Sequence, residues 1–185
     1  MRIAYINSVA GFGSTGKIVY QLSCIPEVTG KLYYGRKKNT TSANAFKCTH
    51  FIGNVHHAIH TYLFDTHGFC NTLETKRLIA DLKEFNPDIV HLHNLHGYYL
   101  NVDTLFSYLK ETGKPVIWTL HDCWSFTGHC AHYDSIGCSK WETECKNCPG
   151  LHKYPVTYNG LKVTSHYYKK KRIFNSLHSK LTIVT

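Results

Sequence analysis

The sequence predicts an α/β fold: a Rossmann-like three-layer domain with a mostly parallel sheet and a Cys/His-rich insertion. Three observations predict it. Short, apolar, β-rich runs alternate with helical stripes, the connections between them are short, and glycines or histidines follow several predicted strands. Strands buried on both faces of a parallel sheet read as continuous apolar runs of this kind. The 185 residues are enough for one domain with a sizeable core.

Each predicted element follows from its own pattern of apolar residues. The predicted strands cover residues 2–9, 31–35, 51–53, 89–93, 115–122 and 181–185. The predicted helices run from Ile18 to near Pro26 and over residues 73–85, 102–109 and 163–177. Residues 39–70 are polar and His-rich, and apart from 51–53 they show no clear element. The insertion covers about residues 123–155. The chain ends on a strand with no helix after it, which we interpret as the truncation point of a longer protein.

Composition and charge exclude some classes of protein. Residues 1–7 do not form a signal peptide, and no apolar run approaches the roughly 20 residues of a membrane span, so we expect a cytoplasmic location. The chain has 21 basic and 12 acidic residues and a formal charge of +9. The basic runs 36–38 and 169–172 indicate either a solvated face or peripheral contact with phosphates or an anionic membrane. No nucleic-acid-binding module accompanies the charge, so we expect no nucleic-acid partner.

A glycine loop after the first strand is a candidate phosphate-binding site. It consists of Gly13, Ser14, Thr15, Gly16 and Lys17. Backbone N–H groups at the start of a helix bind anions, and the helix dipole assists them. A purely structural turn is the alternative.

Two known nucleotide-binding motifs match this loop only in part. The spacing from Gly11 to Lys17 fits a P-loop, but Ile18 stands where magnesium binding requires Ser or Thr. The spacing of Gly11, Gly13 and Gly16 fits a dinucleotide site, but Arg36 stands near the position that needs an acidic residue. A P-loop-like nucleotide-binding protein therefore stays a third hypothesis.

Polar residues follow two later strands. His93, Asn94, His96 and Tyr98 form a predicted polar rim, with His91 on the same face of the strand as His93. The alternative is that these histidines are core or capping residues. His121 and Asp122 end the next strand and are the predicted catalytic residues. An imidazole there can bond a sugar hydroxyl or exchange a proton near neutral pH, whereas Asp122 can equally cap the next segment.

Five of the eight cysteines lie between residues 123 and 148. The spacing of Cys130, Cys138, Cys145 and Cys148 ends in a Cys-x2-Cys pair, which suits a tetrahedral structural zinc site. Unliganded thiols and disulfides are the alternatives. No open coordination position is evident, so we expect no catalytic metal.

Two long segments resemble bacterial glycosyltransferases of the large retaining family four, which build capsular and colanic-acid-like polysaccharides. The first contains ETKRL at 74–78 and NPDIVHLHNLHGYYLN at 86–101. The second contains WTLHDCWSFTGHC at 118–130 and the later CKNCP at 145–149, which are typical of one subgroup.

The resemblance implies a GT-B fold, in which residues 1–185 form the N-terminal, acceptor-side domain. The glycine loop would approach the donor diphosphate. Lys17 stands where relatives often have arginine, and lysine lacks the paired N–H donors with which arginine binds a phosphate in a bidentate way. His121 would contact the transferring sugar. The implied reaction retains the anomeric configuration, uses no protein nucleophile and needs no catalytic cofactor. The partners would be a nucleotide-sugar donor and a glycan or lipid-linked acceptor.

The C-terminal, donor-binding domain of that family is absent from these residues, so we expect weak donor binding and negligible transfer by this chain alone. A non-catalytic, zinc-stabilised module that binds a glycan or a protein is the alternative.

Overall fold

The computed structural model describes residues 1–41 and 44–185 and confirms the predicted α/β class. The strands of its single sheet are β1 (Arg2–Asn7), β2 (Thr29–Tyr34), β3 (Ala45–Lys47), β4 (Ile89–Leu92), β5 (Val116–Thr119) and β6 (Leu181–Val184). All pair in parallel, in the order β3-β2-β1-β4-β5-β6. This is the doubly wound order in which the chain reverses direction across the sheet between β1 and β4.

Five α-helices connect these strands. They are α1 (Gly13–Ser23), α2 (Phe51–Phe64), α3 (Thr72–Phe85), α4 (Val102–Thr112) and α5 (Val163–Asn175). Three short 3₁₀ helices cover Asp134–Ile136, Lys140–Glu142 and His178–Lys180. None of the helices in the described ranges combines the length and apolar character that a membrane crossing requires.

The core lies on both faces of the sheet, which is why the strands read as unbroken apolar runs. Along β1, Ala4 and Ile6 pack into the larger cluster with α3 and α4, whereas Ile3 and Tyr5 pack into the smaller cluster with Val19 of α1. Alternate side chains of a strand point to opposite faces, so one strand supplies both layers.

The predicted strand at residues 51–53 is wrong, because these residues begin α2. This helix buries polar side chains and exposes apolar ones, the opposite of the usual arrangement. It buries His57 and Thr61 completely, whereas Phe51 and Ile52 are 75% and 80% exposed. Its apolar residues therefore face away from the core, although Ile52, Val55, Ile59 and Leu63 repeat at helical spacing in the sequence. The short strand β3 lies in the same polar region, where the sequence predicted nothing.

Several predicted strands extend past their observed ends. β1, β4 and β5 end at Asn7, Leu92 and Thr119, and the chain then enters loops. The residues predicted as strand beyond these ends are the polar ones that a sheet buried on both faces does not accommodate. Within the insertion, residues 123–155, the structure contains two 3₁₀ helices and neither an α-helix nor a strand.

We expect Asn101→Ala to destabilise the domain by about 2 kcal/mol, because it removes the N-cap of α4 and a hydrogen bond to the neighbouring loop. Its Oδ1 accepts from the N–H of Thr104, and its Nδ2 donates to the carbonyl of Phe69 at 2.8 Å. Urea unfolding measures the change. Ser107→Ala, at an exposed site on the same helix, is the control and should shift stability by less than about 0.5 kcal/mol. Equal effects of the two substitutions would contradict the cap's role.

Candidate functional site at the carboxyl ends of β4 and β5

A small cavity opens where β4 and β5 end. Its polar lining comes from the loops that follow these strands, and it consists of His93, Asn94, His96, His121, Asp122 and Ser125. Trp118 and Trp124 supply part of the apolar wall. The structure thus brings together His121 and Asp122 with three of the four predicted rim residues.

The centre of the cavity is a pair of stacked histidines. His93 Nδ1 lies 2.9 Å from His121 Nε2, and the ring planes are 14° apart. His93 is buried, and its Nε2 has no hydrogen-bond partner among the described residues. Burial, with smaller effects of His91 and His121, lowers the pKa of His93 to about 3. Burial also lowers the pKa of His121. Both rings are therefore neutral at pH 7, and one N–H donates to the other ring's lone pair.

His91 packs against the histidine pair on the same face of β4. Its ring lies 4.3 Å from that of His93, as two residues on one face of a strand should, and its Nε2 is 2.9 Å from Thr119 Oγ1 of β5. Burial lowers the pKa of His91 to about 4, and His121 adds to the effect. These contacts join the ends of β4 and β5 through side chains, in addition to the backbone hydrogen bonds between the two strands.

The second polar pair in the cavity is His96 and Asp122. His96 Nε2 lies 2.5 Å from Asp122 Oδ2, and Asp122 Oδ1 accepts from the Trp124 N–H at 2.9 Å. Burial by itself would raise the pKa of Asp122, but the hydrogen bond and charge of His96 and the Trp124 amide outweigh it, so the pKa is lowered. Asp122 therefore caps the following turn and also orients an imidazole in the cavity.

Tyr154 completes this network from the insertion. Its hydroxyl lies 2.9 Å from His96 Nδ1, and burial raises its pKa. His96 thus bonds to Asp122 through Nε2 and to the tyrosine hydroxyl through Nδ1. No sequence pattern pointed to Tyr154, because it lies 58 residues from His96 along the chain.

Tyr98 does not line the cavity, unlike the other predicted rim residues. Its ring packs edge-on against His67 at 4.9 Å, and its carbonyl accepts from Asn54 of α2 at 2.8 Å. It belongs to an aromatic cluster beside the cavity and holds α2 in place. Its φ of 63° is in the left-handed region.

The glycine loop lies at the end of the neighbouring strand, outside the cavity. Gly11 has φ of 66°, and a Cβ there would lie 2.2 Å from the Asn39 carbonyl oxygen, so only glycine fits. α1 begins at Gly13 with no side-chain cap and no acidic residue in its first turn, which leaves its N–H groups without a protein anion. Ser14 and Lys17 are exposed.

A single side chain connects the loop's strand to the cavity. Asn7, at the end of β1, accepts from the Asn94 N–H at 3.1 Å and donates to the Val9 carbonyl at 2.8 Å. The glycine loop and the histidine cavity thus flank the point where the strand order reverses, which is where ligands of such sheets bind.

A buried lysine, which the sequence did not single out, anchors one wall of the cavity. Lys170 of α5 is 1% exposed, and its Nζ donates to the Trp124 carbonyl at 2.5 Å and lies 4.1 Å from the Trp124 ring centroid. Burial lowers its pKa to about 7. Its place in the basic run 169–172 suggested a solvated face or an anion contact, whereas the structure turns this one residue inward.

The four predicted zinc ligands line a second cavity, between the insertion and α5. In residues 1–41 and 44–185, no group of three or more His, Cys, Asp or Glu side chains is already arranged as a metal-binding shell. The cysteines of the chain are all free thiols in the structure.

The fold and cavity define an α/β domain with a histidine-rich site at the switch point of a parallel sheet. Over 98 residues, 50% of this chain, the sequence is 40% identical to a protein of Escherichia coli (strain K12) named "Putative colanic acid biosynthesis glycosyl transferase WcaC". The match spans 23% of that protein's length. No family model matches the chain, and no solved structure matches it. Half of the chain is therefore similar to a glycosyltransferase of polysaccharide biosynthesis.

We expect the free energy of unfolding to fall as the pH drops from about 6.5 toward 3, because several buried histidines resist protonation in the folded state. Burial lowers the pKa of His57, His93 and His166 to about 3 and that of His91 to about 4. Their unfolded value is about 6.5. The unfolded chain therefore binds more protons in this window, so stability is fully present above pH 6.5 and is lost toward the folded pKa values.

Urea unfolding at pH 7, 6 and 5 measures this dependence. His93→Gln should flatten it, whereas His152→Gln, at an exposed site, should not. A free energy of unfolding that stays constant between pH 7 and 5 would contradict the neutral state of these rings.

Proposed function

We propose that this chain is the acceptor-side domain of a retaining GT-B glycosyltransferase in cell-surface polysaccharide synthesis. The complete enzyme would transfer a hexosyl group from a nucleotide-diphosphate sugar to a glycan or a lipid-linked acceptor. The observation that carries this proposal is the cavity at the ends of β4 and β5, where the neutral pair His93 and His121 lies beside His96 and Asp122. The similarity of half the chain to a glycosyl transferase supports the same reading.

Neutral imidazoles suit the binding of a sugar. A neutral ring offers one donor and one acceptor, which match a hydroxyl group without attracting a competing anion. His121 is the half-buried member of its pair, so it is the one that reaches substrate, and we assign it the contact with the transferring sugar. His93 lies behind it and fixes the position of its ring. Asp122 is a positioning residue that acts through His96.

The start of α1 suits the donor diphosphate. Its free N–H groups and the positive end of the helix dipole favour an anion, and Lys17 adds a mobile positive charge. As the sugar–phosphate bond breaks, negative charge develops on the departing diphosphate, and fixed donors lower the energy of that state most. A new bond forms from the acceptor oxygen to the same face of the sugar carbon. The acceptor's proton leaves with the diphosphate, so no protein nucleophile is needed.

We expect His121→Ala to lower kcat by roughly 100-fold or more in an enzyme that combines this chain with a donor-binding domain, since it removes a donor from a preorganised site. Transfer of radiolabelled hexose from UDP- or GDP-sugars to a lipid-linked acceptor measures the effect. Ser107→Ala, remote from the cavity, is the control. The isolated 185 residues should show negligible turnover. Full activity of His121→Ala, or robust turnover by the isolated chain, would overturn the assignment.

Contact with an anionic membrane forms part of the proposal, and α2 is the surface that favours it. Exposed apolar residues of α2, with one from the turn before α5, form the apolar surface Phe51, Ile52, Ile59, Leu63, Phe64 and Leu161. Hydrogen bonds from Tyr158 N–H to the Tyr62 carbonyl and from Asn159 Nδ2 to the Leu63 carbonyl join the two segments.

The charges around the apolar surface favour anionic lipid as its occupant. Two exposed basic residues lie at its ends: Arg77 contacts His50, just before α2, and Lys162 bonds through its N–H to Asp65, just after it. The helix α2 itself has no acidic residue. The closest acidic side chain along α3 is Glu74, which lies half-buried against Gly53. An apolar helical face with basic neighbours binds the headgroup region of a bilayer by burial of apolar area and by attraction to anionic headgroups.

We expect Ile59→Glu to reduce binding to vesicles of phosphatidylglycerol and phosphatidylethanolamine at least several-fold in a flotation assay. The change places a carboxylate in the middle of the apolar surface. Ile25→Glu carries the same charge change at an exposed site in the turn after α1 and should leave binding intact. Equal loss in both variants, or equal binding to neutral vesicles, would contradict a membrane-binding role for α2.

A further inference from the structure

We propose that Cys130, Cys138, Cys145 and Cys148 bind one zinc ion, which holds the insertion against α5. The four thiols line one cavity although they are spread over 19 residues of a segment that forms no α-helix or strand. Four thiolates in tetrahedral geometry are a preferred structural site for zinc, and the Cys-x2-Cys pair supplies two adjacent ligands.

Two of the four thiols, Cys130 and Cys145, are buried, and the other two, Cys138 and Cys148, are half-buried. They face a shared cavity and have not closed into a shell, so binding of the ion requires their side chains to turn inward to Zn–S distances of about 2.3 Å.

The surroundings of the cavity are suited to thiolates. Backbone lies beside these sulfurs: a Cβ at Gly150 would lie 3.8 Å from Cys148 Sγ, so a backbone N–H can approach a bound thiolate there. Hydrogen bonds from outside the ligand set are a regular feature of metal sites, because they orient the ligands. A glycine is required at Gly128, where a Cβ would lie 2.5 Å from the Val163 carbonyl oxygen.

The charge balance of the interior also favours an anionic metal site. The Lys170 ammonium is fully buried, and no carboxylate in the described part of the chain lies within ion-pair distance of it. Four thiolates around Zn²⁺ carry a net double negative charge. Lys170, together with the neighbouring Lys171, would offset that charge, and the site would in turn keep Lys170 protonated.

Zinc would add to the contacts that already hold the insertion to the domain. Trp124 and Ala131 lie in the main core, and the insertion's own apolar cluster contains Cys145, Val163 and Tyr167, with Trp141, Cys148 and Leu151 packed against it. Two of the six members of that cluster are proposed ligands. Zinc binding to such a segment contributes directly to folding free energy.

The test is the metal content and thiol reactivity of the purified 185-residue chain. We expect about one zinc per chain by elemental mass spectrometry. Alkylation followed by peptide mapping should modify exposed Cys24 at once and the four proposed ligands only after a chelator is added. Replacement of zinc by Co²⁺ should give the intense thiolate-to-metal absorption of a four-sulfur site, which reports the ligands without any substitution.

Single variants identify the ligands. Cys138→Ser and Cys148→Ser should lower zinc content and the midpoint of thermal unfolding, whereas Cys123→Ser and Cys24→Ser, at cysteines outside the cavity, should change neither. A chain that folds without metal and has freely reactive thiols would overturn the proposal. So would a mass deficit that shows disulfides among these four cysteines. A variant that fails to fold leaves the cobalt spectrum and the alkylation map of the wild-type chain to decide.

Discussion

Burial of the sheet on both faces is the constraint on which the rest of the structure depends. Because α1 covers one face and α3 and α4 cover the other, most side chains along the strands are apolar, and His91 of β4, which bonds to Thr119 of β5, is an exception. The other polar groups of the site enter where the strands end and the covering layers separate. The reversal of strand order between β1 and β4 widens this gap at one place, and Asn7 and Asn94 join its two sides. The position of the site thus follows from the way the core is covered.

Packing around the cavity sets the charge state of its histidines. A buried imidazole loses more hydration when it is charged than when it is neutral, so its neutral form is favoured. The same burial that stabilises the domain therefore supplies a site of uncharged donors and acceptors, and it makes the domain sensitive to acid. Asp122 remains ionised in this environment because His96 and a backbone amide replace the water it has lost. Stability and the chemistry proposed for the cavity rest on one set of contacts.

Periodicity and strand ends were enough to predict the fold class and to place His93, Asn94, His96, His121 and Asp122 at one edge of the sheet. They were not enough for α2, because that helix buries polar side chains and its apolar residues face away from the core. Nor could they reveal the part played by Tyr154 or Lys170. Both reach the cavity through contacts between segments far apart in the chain, and such contacts depend on how the insertion folds back. Tyr98 was displaced from the predicted rim for a similar reason, since its ring packs into a cluster assembled from three loops.

The insertion is therefore part of the cavity and cannot be treated as an appendage. Tyr154 positions His96 from one end of it, and Trp124 forms the wall of the cavity at the other end. Lys170 bonds to the Trp124 carbonyl, and Val163 at the start of the same helix lines the thiol cavity, so α5 contacts both cavities. Zinc bound as proposed would therefore be connected to the histidine site through α5.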